Sequence, residues 1–342
     1  MKKIDLIDVV ETAYDLGDDD EAWLPRMLEV SRAGLDSGQG LFGFLYFADR
    51  QAGLQVHCAA MDGLDPDILT AAVATNVAAP PDVMRELFFD YARTVGTYRQ
   101  MQREVPAAAD FFAAAPEKHA SVVDLVALNA RDPSGHGLIF GAPASEDVNL
   151  RPRFVQRWQR VATHLAAGYR LRRALVNLDT APAVPLGGDA VFDPGGALKH
   201  AEPDAKDRSV REKLKDAVKR VDRARSTARK DTDEALALWQ GLSCGRYSLV
   251  DWFDADGRRF VIARKNDSPT PDPRALSMKE RQVSAWVALG QTNKQVGYEV
   301  GIAASTVAYH LARAQRKLGL QTRGQLVALL RAANVEPDKA VH

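Results

Sequence analysis

The chain of 342 residues contains only two cysteines, Cys58 and Cys244, and neither belongs to a C-x-x-C pair. This scarcity excludes a disulfide framework and argues against a structural zinc site, so it predicts a protein of a reducing compartment. No apolar run reaches the roughly 20 residues that a membrane span requires. The first residues meet acid at Asp5 and Asp8 instead of leading into a signal-peptide core. We therefore expect a cytoplasmic protein with no membrane partner.

Net charge is also absent, because 45 Lys+Arg balance 45 Asp+Glu. The charges are nevertheless segregated along the chain. Residues 1–150 hold 24 Asp+Glu against 11 Lys+Arg, a net of −13. Residues 151–267 hold 16 against 24, a net of +8, and residues 274–331 hold 2 against 9, a net of +7. An acidic half joined to a basic tail favours a regulatory body that carries a polyanion-binding end.

Recognisable catalytic sites are missing as well. Residues 38–43 satisfy G-x-G-x-x-G, but a helix is predicted before them and a strand after them, the reverse of the order that phosphate binding needs. Residues 241–245 satisfy G-x-S-x-G, but they follow a helix and precede a strand, which does not suit a nucleophile elbow. We predict no enzymatic activity, no metal site and no evident cofactor. A small-molecule ligand of the N-terminal domain stays open, with its binding residues unknown.

Residues 1–150 alternate between helical and strand-like hydrophobic periods. The pattern predicts two helices, two strands joined around residues 49–53, a helical insert, and a second hairpin around the Pro- and Gly-containing turn at residues 131–137. With a returning helix, this order of elements resembles a GAF-like α/β sensor domain. The ordered acids and lysine of a phosphorylation receiver do not appear. Control by a ligand, a partner or a redox cue is therefore expected.

The middle of the chain is predicted to hold a connector and a second small unit. Residues 151–178 form a long helix whose apolar stripe would pack either on its own domain or against a second copy in a dimer. Residues 179–188 are predicted to be a linker. Residues 189–266 have the order strand–strand–helix–helix–strand–strand, which resembles a small PAS-like α/β unit. Residues 267–275 form a Pro-rich linker, which is expected to be semi-rigid.

Residues 276–335 carry the signals of four short helices. Three starts have a hydroxyl followed three residues later by Glu or Gln, at Ser277, Thr292 and Thr322. The third helix, from residue 304 to 318, has a narrow aliphatic stripe on one face and small or basic residues without acid on the other. Two helices joined by a tight turn, the second with such a face, are what docking in the major groove requires.

The residues of this segment also match the pattern of a known family. They are Leu276, Ser277, Glu280, Val283, Gly290, Asn293, Lys294, Val296, Gly301, Ile302, Ser305, Thr306, Val307, His310, Leu311, Lys317, Leu318 and Gly319. With them the segment closely resembles the LuxR-type helix-turn-helix. The resemblance implies an all-α tetrahelical DNA-binding domain that dimerises through its last helix on a two-fold related site. The fold class predicted for the whole chain is therefore multidomain α+β.

The predicted DNA-contacting residues fall into groups with different roles. Amides at the start of the second helix, with Lys294, are expected to hold a phosphate. By the family's pattern Ala308, Tyr309 and Ala312 face bases, and nearby cations add phosphate contacts. The complete predicted set is Thr292, Asn293, Lys294, Ser305, Thr306, Ala308, Tyr309, His310, Ala312, Arg313, Arg316 and Lys317. The predicted dimerisation residues are Leu326, Val327, Leu329 and Leu330.

Some residues depart from the family's pattern. Ala303 stands where a capping Ser or Thr is usual, which forfeits about 1 kcal/mol. Ala308 and Ala312 stand where Lys or Arg is frequent, which weakens guanine recognition and leaves methyl contacts with thymine. Gly297 replaces an alanine inside the second helix, at a cost of about 0.5–1 kcal/mol. We therefore hypothesise modest intrinsic DNA affinity and a dependence on dimerisation.

These observations predict a sequence-specific DNA-binding transcriptional regulator that is controlled by a signal sensed in its N-terminal domains. The expected partners are double-stranded DNA and a second copy of the chain, and RNA polymerase is left open. Two alternatives remain. One is a signalling enzyme whose active site is invisible to residue spacing, and the other is an adaptor that uses the basic C-terminal module to bind an acidic protein.

Overall fold

The chain adopts a mixed α/β architecture with two antiparallel sheets and a helical C-terminal region in a computed structural model. The structure describes residues 4–49, 52–91, 93–114, 122–132, 134–176, 185–240, 247–265, 276–318 and 320–333. Most of the predicted linker 179–188, the G-x-S-x-G segment and the Pro-rich linker 267–275 lie outside these residues. Within them, no helix has the length and apolarity that a membrane crossing would need.

The N-terminal domain is built on a five-stranded antiparallel sheet of order β2-β1-β5-β4-β3. The hairpins predicted around residues 49–53 and 131–137 are confirmed by the strand pairing, whereas β3 was not predicted. The G-x-G-x-x-G segment at residues 38–43 follows a helix and runs into a strand that begins at Leu41, in the order expected. The elements are α1 (Leu6–Ala13), α2 (Asp20–Leu35), β1 (Leu41–Asp49), β2 (Gly53–Asp62), α3 (Pro66–Val77), α4 (Pro81–Arg85), a π-helical segment (Glu86–Tyr91), β3 (Val95–Thr97), α5 (Tyr98–Glu104), α6 (Pro106–Ala114), β4 (Asp124–Arg131), β5 (His136–Ala144) and α7 (Pro152–Val176).

The central unit is a four-stranded antiparallel sheet of order β7-β6-β9-β8 with helices inserted between its two hairpins. The β8–β9 hairpin turns at Gly257, whose positive φ of 73° explains the glycine there. The elements are a 3₁₀ turn (Pro185–Gly187), β6 (Ala190–Phe192), β7 (Leu198–Ala201), α8 (Pro203–Lys206), α9 (Arg208–Arg225), α10 (Thr232–Leu238), β8 (Tyr247–Phe253) and β9 (Arg259–Lys265).

One hydrophobic core joins the N-terminal domain to the central unit. Leu45 and Phe140 of the first sheet, Leu165 of α7, and Phe192 and Trp239 of the central unit belong to a single buried cluster. The helix α7 therefore packs within its own chain, which is the first of the two alternatives that its sequence left open. We call residues 4–265 the body, because the two parts share this core.

The C-terminal region, which we call the head, consists of four helices. They are α11 (Met278–Ala288), α12 (Asn293–Val300), α13 (Ala304–Leu318) and α14 (Arg323–Ala333). All three predicted capping boxes are present, since Ser277, Thr292 and Thr322 each exchange hydrogen bonds with the residue three positions later. The local signals therefore located every helix of the head to within a few residues.

Candidate nucleic-acid interface

The turn between α12 and α13 sets the geometry of the site. The helix α12 ends at Gly301 in a left-handed conformation with φ of 70°, and the amide of Ile302 donates to the carbonyl of Gly297 over 2.9 Å. A Cβ atom at position 297 would lie 2.7 Å from the Ile302 carbonyl oxygen. Glycine at 297 therefore allows the turn to close against α12, which explains a residue that otherwise costs helix stability.

The inner face of α13 fixes the helix to the rest of the head. Val307, Leu311 and Ala314 are buried and belong to the same cluster as Trp286 of α11. Leu318 is half-buried against that cluster. The predicted core stripe is confirmed, and the opposite face must therefore point away from the head.

That opposite face is exposed, and α13 contains no acidic residue. Its alanine and serine side chains leave the helix backbone accessible, and the aromatic ring of Tyr309 projects from it with 57% exposure. The predicted contacts Ser305, Ala308, Tyr309, Ala312, Arg313, Arg316 and Lys317 are exposed, and Thr306 and His310 are half-buried.

Two of the predicted phosphate ligands are held by an internal carboxylate. Glu280, with a side chain only 1% exposed, accepts from Lys317 Nζ over 2.7 Å and lies 3.2 Å from Arg313 Nε. Burial opposes ionisation of Glu280, but hydrogen bonds from Lys317 and Ser277 outweigh it and lower its pKa to about 2. Lys317 and Arg313 therefore stabilise the packing of α13 on α11. This role was not predicted, because the sequence pattern links Glu280 to the helix cap at Ser277 and gives no sign of Lys317 or Arg313 beside it.

Arg313 also orients the exposed tyrosine. Its Nη1 donates to the Tyr309 hydroxyl over 3.2 Å, and its guanidinium carbon lies 5.6 Å from the ring centroid. By contrast, Arg316 forms no ion pair within the described part of the chain, so that its charge faces solvent. Arg316 is therefore the clearest candidate for a direct phosphate contact on α13.

The start of α12 forms a second cationic corner. Thr292 and Lys294 are exposed there, and Arg323 of α14 donates to Asn293 Oδ1 over 2.7 Å and to the Gln291 carbonyl over 2.6 Å. Lys294, Arg323 and the free helix amides together offer donors for one phosphate group. Arg323 was not among the predicted contacts, because no local spacing connects it to Asn293, 30 residues earlier.

The predicted dimerisation residues divide between the interior and the surface. Leu326 and Leu330 are buried in the hydrophobic cluster of the head. Val327 is half-buried, and Leu329 is 37% exposed. Only the latter two can reach a second chain without a rearrangement of the head.

A buried polar network attaches the head to the body. The Tyr298 hydroxyl on α12 lies 3.0 Å from His164 Nε2, 2.6 Å from the Leu236 carbonyl and 2.8 Å from the Trp239 carbonyl. The Tyr298 hydroxyl has a single proton, which it donates to the backbone carbonyls, and its oxygen accepts a hydrogen bond from His164 Nε2–H. The other ring nitrogen then accepts from the Tyr14 hydroxyl over 3.1 Å. This arrangement needs a neutral imidazole, and burial accordingly lowers the pKa of His164 to about 3.

Next to this network, the contact between head and body buries a carboxyl group and an ion pair. Glu299 of α12 is fully buried, and burial raises its pKa to about 7 against the opposing attraction of Arg170. Arg170 itself pairs with Asp132 over 2.8 Å in the body. None of these residues was singled out from the sequence, because their partners lie on distant elements: Asp132 is 38 residues from Arg170, and Glu299 is more than a hundred residues from both.

A cleft of about 470 Å³ remains between body and head beside these contacts. Its walls include Asn129, Arg131 and Gln159 of the body and Lys294 and Gln295 of the head. The start of α12 therefore opens towards the body. Among the described residues, no three His, Cys, Asp or Glu side chains are grouped as a metal site would require.

Comparison with known proteins points to one family for the head. Residues 274–330 match the family described as "Bacterial regulatory proteins, luxR family". The chain is 31% identical over 86 residues to the transcriptional activator protein EchR of Dickeya chrysanthemi, covering 24% of this chain and 34% of that protein. It is 44% identical over 88 residues to the HTH-type transcriptional activator RamA of Corynebacterium glutamicum, covering 25% and 31%.

The matches are confined to part of each protein. The probable transcriptional regulatory protein SgaR of Hyphomicrobium methylovorum is 42% identical over 59 residues, which are 17% of this chain and 28% of that protein. The chain thus spans about a third of the length of these curated relatives. The solved structure of SdiA in complex with octanoyl-rac-glycerol aligns over 98% of this chain and 97% of its own, with a TM-score of 0.33 and 9% identity. Residues 274–330 form a LuxR-type helix-turn-helix domain.

Proposed function

We propose that the chain is a DNA-binding transcriptional regulator whose helix α13 enters the major groove. The observation that carries the proposal is the exposed face of α13. This face consists of small side chains and contains no acid, and Arg316 lies on it without an ion pair within the described residues. Ala308 and Ala312 let the helix approach the base edges and contact thymine methyl groups, and Tyr309 projects between them. The names of the matched relatives, two activators and one regulator, agree with this function.

Phosphate contacts position the helix in this proposal. Arg316 binds the backbone at one end of the exposed face, and Lys294, Arg323 and the first amides of α12 bind it at another. Arg313 and Lys317 contribute charge to the surface but stay attached to Glu280. Few cations of the head therefore remain unpaired and able to bind phosphate, which is consistent with the expected modest affinity for DNA.

We also propose a homodimer, a sensory role for the body and an interaction with RNA polymerase. A homodimer would form through α14, with the exposed Leu329 and the half-buried Val327 at its centre. The body would be a cytoplasmic GAF-like sensor with a PAS-like unit, as the order of its elements suggests, and its signal would reach the head through the Tyr298 network. RNA polymerase is the proposed partner of an activator, and no catalytic role is assigned.

The test measures DNA binding by the full chain after selection of its preferred duplex from a random pool. Arg316→Glu is expected to weaken binding at least about tenfold and to reduce the slope of log K against log salt by at least about 1, because it removes a phosphate contact and adds a repulsive charge. Arg258→Glu makes the same charge change in the exposed β8–β9 turn and serves as the control. Equal binding by the two variants would contradict the proposal, and failure of the unaltered chain to retain any duplex would favour the adaptor alternative.

A further inference from the structure

A second basic surface lies beside the head, on the central unit. Four cations of α9, namely Lys213, Lys219, Arg220 and Arg223, line a cleft of about 720 Å³. We call these four residues the α9 basic face. The other wall includes Lys279, Gly301 and Ile302 of the head, and Asp216 is the one carboxylate among the lining residues.

The sequence of α9 explains why this face is basic. Leu214, Ala217, Val218, Val221 and Ala224 are buried on one side of the helix, so that its charged residues are left on the other. Arg223 pairs with Glu234. Within the described residues, the remaining three cations of the α9 basic face, Lys213, Lys219 and Arg220, form no ion pair. These three charges are therefore available to a polyanion.

The α9 basic face is also close to the proposed DNA interface. Gly301 and Ile302 form the turn that leads directly into α13. Lys279, on the same wall, lies near enough to His310 of α13 that its charge adds to burial in lowering the pKa of that imidazole. The cleft therefore adjoins the N-terminal half of the helix that is proposed to read bases.

Hydrogen bonds join the body to the head beside this cleft, and they fix the position of the α9 basic face relative to α13. The Tyr298 hydroxyl of α12 binds the carbonyls of Leu236 and Trp239, at the end of α10. The helix α10 packs on α9. A DNA duplex bound by α13 would thus contact the α9 basic face at a fixed distance from the site that α13 occupies, measured along the sugar-phosphate backbone.

We propose that the α9 basic face binds the sugar-phosphate backbone of DNA next to the half-site that α13 contacts. The inference rests on the proposed function of the head and assigns a role to the net charge of +8 in residues 151–267. Lys and Arg side chains on long flexible stems bind phosphate oxygens without reading bases, so that this surface adds affinity and length to the footprint but no sequence preference. Because the α9 basic face belongs to the body, its contact with DNA also fixes the orientation of the body on the duplex.

The experiment compares two duplexes with the full chain. One contains the selected site with about one extra helical turn of flanking sequence on each side, and the other is trimmed to the site itself. Lys213→Glu/Arg220→Glu is expected to bind the long duplex about tenfold more weakly, with the salt slope reduced by about 2, and to bind the short duplex like the unaltered chain. Base preferences from selection should not change.

The matched control is Lys230→Glu/Arg258→Glu, which reverses two exposed cations of the same unit outside the cleft. If this control and the α9 variant bind the long duplex with the same affinity and slope, the inference is overturned. Equal losses on both duplexes would also overturn it, because they place the effect at the site itself. Arg316→Glu separates the two proposals, since it should weaken binding to both duplexes whether or not α9 takes part. If that variant is also without effect, the proposed function fails.

Discussion

The helices α9 and α13 are both amphipathic and basic, but they differ in the size of the side chains that they expose. On α13 the exposed face includes Ala308 and Ala312, whereas on α9 it carries Lys213, Lys219 and Arg220. An α-helix with side chains is about 10–12 Å wide, close to the width of the major groove. A helix with small side chains can enter the groove, and one with long cations is held at the level of the phosphates.

The two helices also use their inner cations in the same way. On α13, Arg313 and Lys317 pair with Glu280. On α9, Arg225 pairs with Asp251. In both cases the cations at the edge of the buried face stabilise packing, and only those beyond it are free for a partner. Counting basic residues therefore overestimates the charge that a helix offers to DNA, and the structure is needed to subtract the internal pairs.

The largest effect is expected from a carboxylate placed on the small face of α13. Ala312→Glu should reduce affinity for the selected duplex by about 100-fold or more, because like charges in close contact cost several kcal/mol. Ser209→Glu, at an exposed position of α9 four residues before Lys213, should change affinity less than about threefold, because an exposed ion pair with that lysine is weak. Fluorescence anisotropy with full-length variants measures both. Similar losses would show that groove entry does not distinguish the helices.

A smaller effect is expected from the internal anchor of α13. Glu280→Gln should lower the free energy of unfolding of the head by about 2 kcal/mol, since it removes the charged partner of Lys317 and Arg313. The folded pKa of about 2 lies below the ordinary 4.5, so that this stabilisation is complete above pH 4.5 and is lost as the pH falls towards 2. Hydrogen exchange of head amides at several pH values tests it. An identical acid response in the variant would rule out this role of Glu280.

The smallest effect is expected from the hydrogen bonds that hold α9 beside the head. Tyr298→Phe removes the hydroxyl that binds Leu236 and Trp239, and leaves buried polar groups without a partner at a cost of about 1–3 kcal/mol to the contact. Affinity for the long duplex should fall about threefold, or about 0.7 kcal/mol, because α9 is no longer held beside the head. The short duplex, which only the head contacts, should bind unchanged and is the internal control. A loss on the short duplex would mean that Tyr298 supports the head itself.

The elements of the head could be predicted from the sequence because their signals are local. A capping box joins residues three positions apart, and the stripe of Val307, Leu311 and Ala314 repeats with the period of a helix. The hairpins of the body were predictable for the same reason, since turn residues lie next to the strands they connect. The short strand β3 was not, because three residues are too few to show a period.

The candidate site was predictable only in part. Residue types on α13 indicated a face for DNA, but nothing in the spacing revealed that Glu280 would pair with two of its cations, Arg313 and Lys317, more than 30 residues away. The bonds of Arg323 to the start of α12 and of Tyr298 to His164 are equally non-local. Pairings of this kind depend on how whole elements pack, and a single sequence carries no repeating signal for them.

The sequence by itself determined the helices of the head, their caps, the small acid-free face of α13 and the segregation of charge along the chain, because each depends on residues that are neighbours in the chain. The tertiary structure alone decided which cations are free, that the N-terminal domain and the central unit share one core, and that α9 lies beside the turn before α13. These outcomes depend on packing between distant elements, where burial removes some charges from solvent and leaves others at the surface.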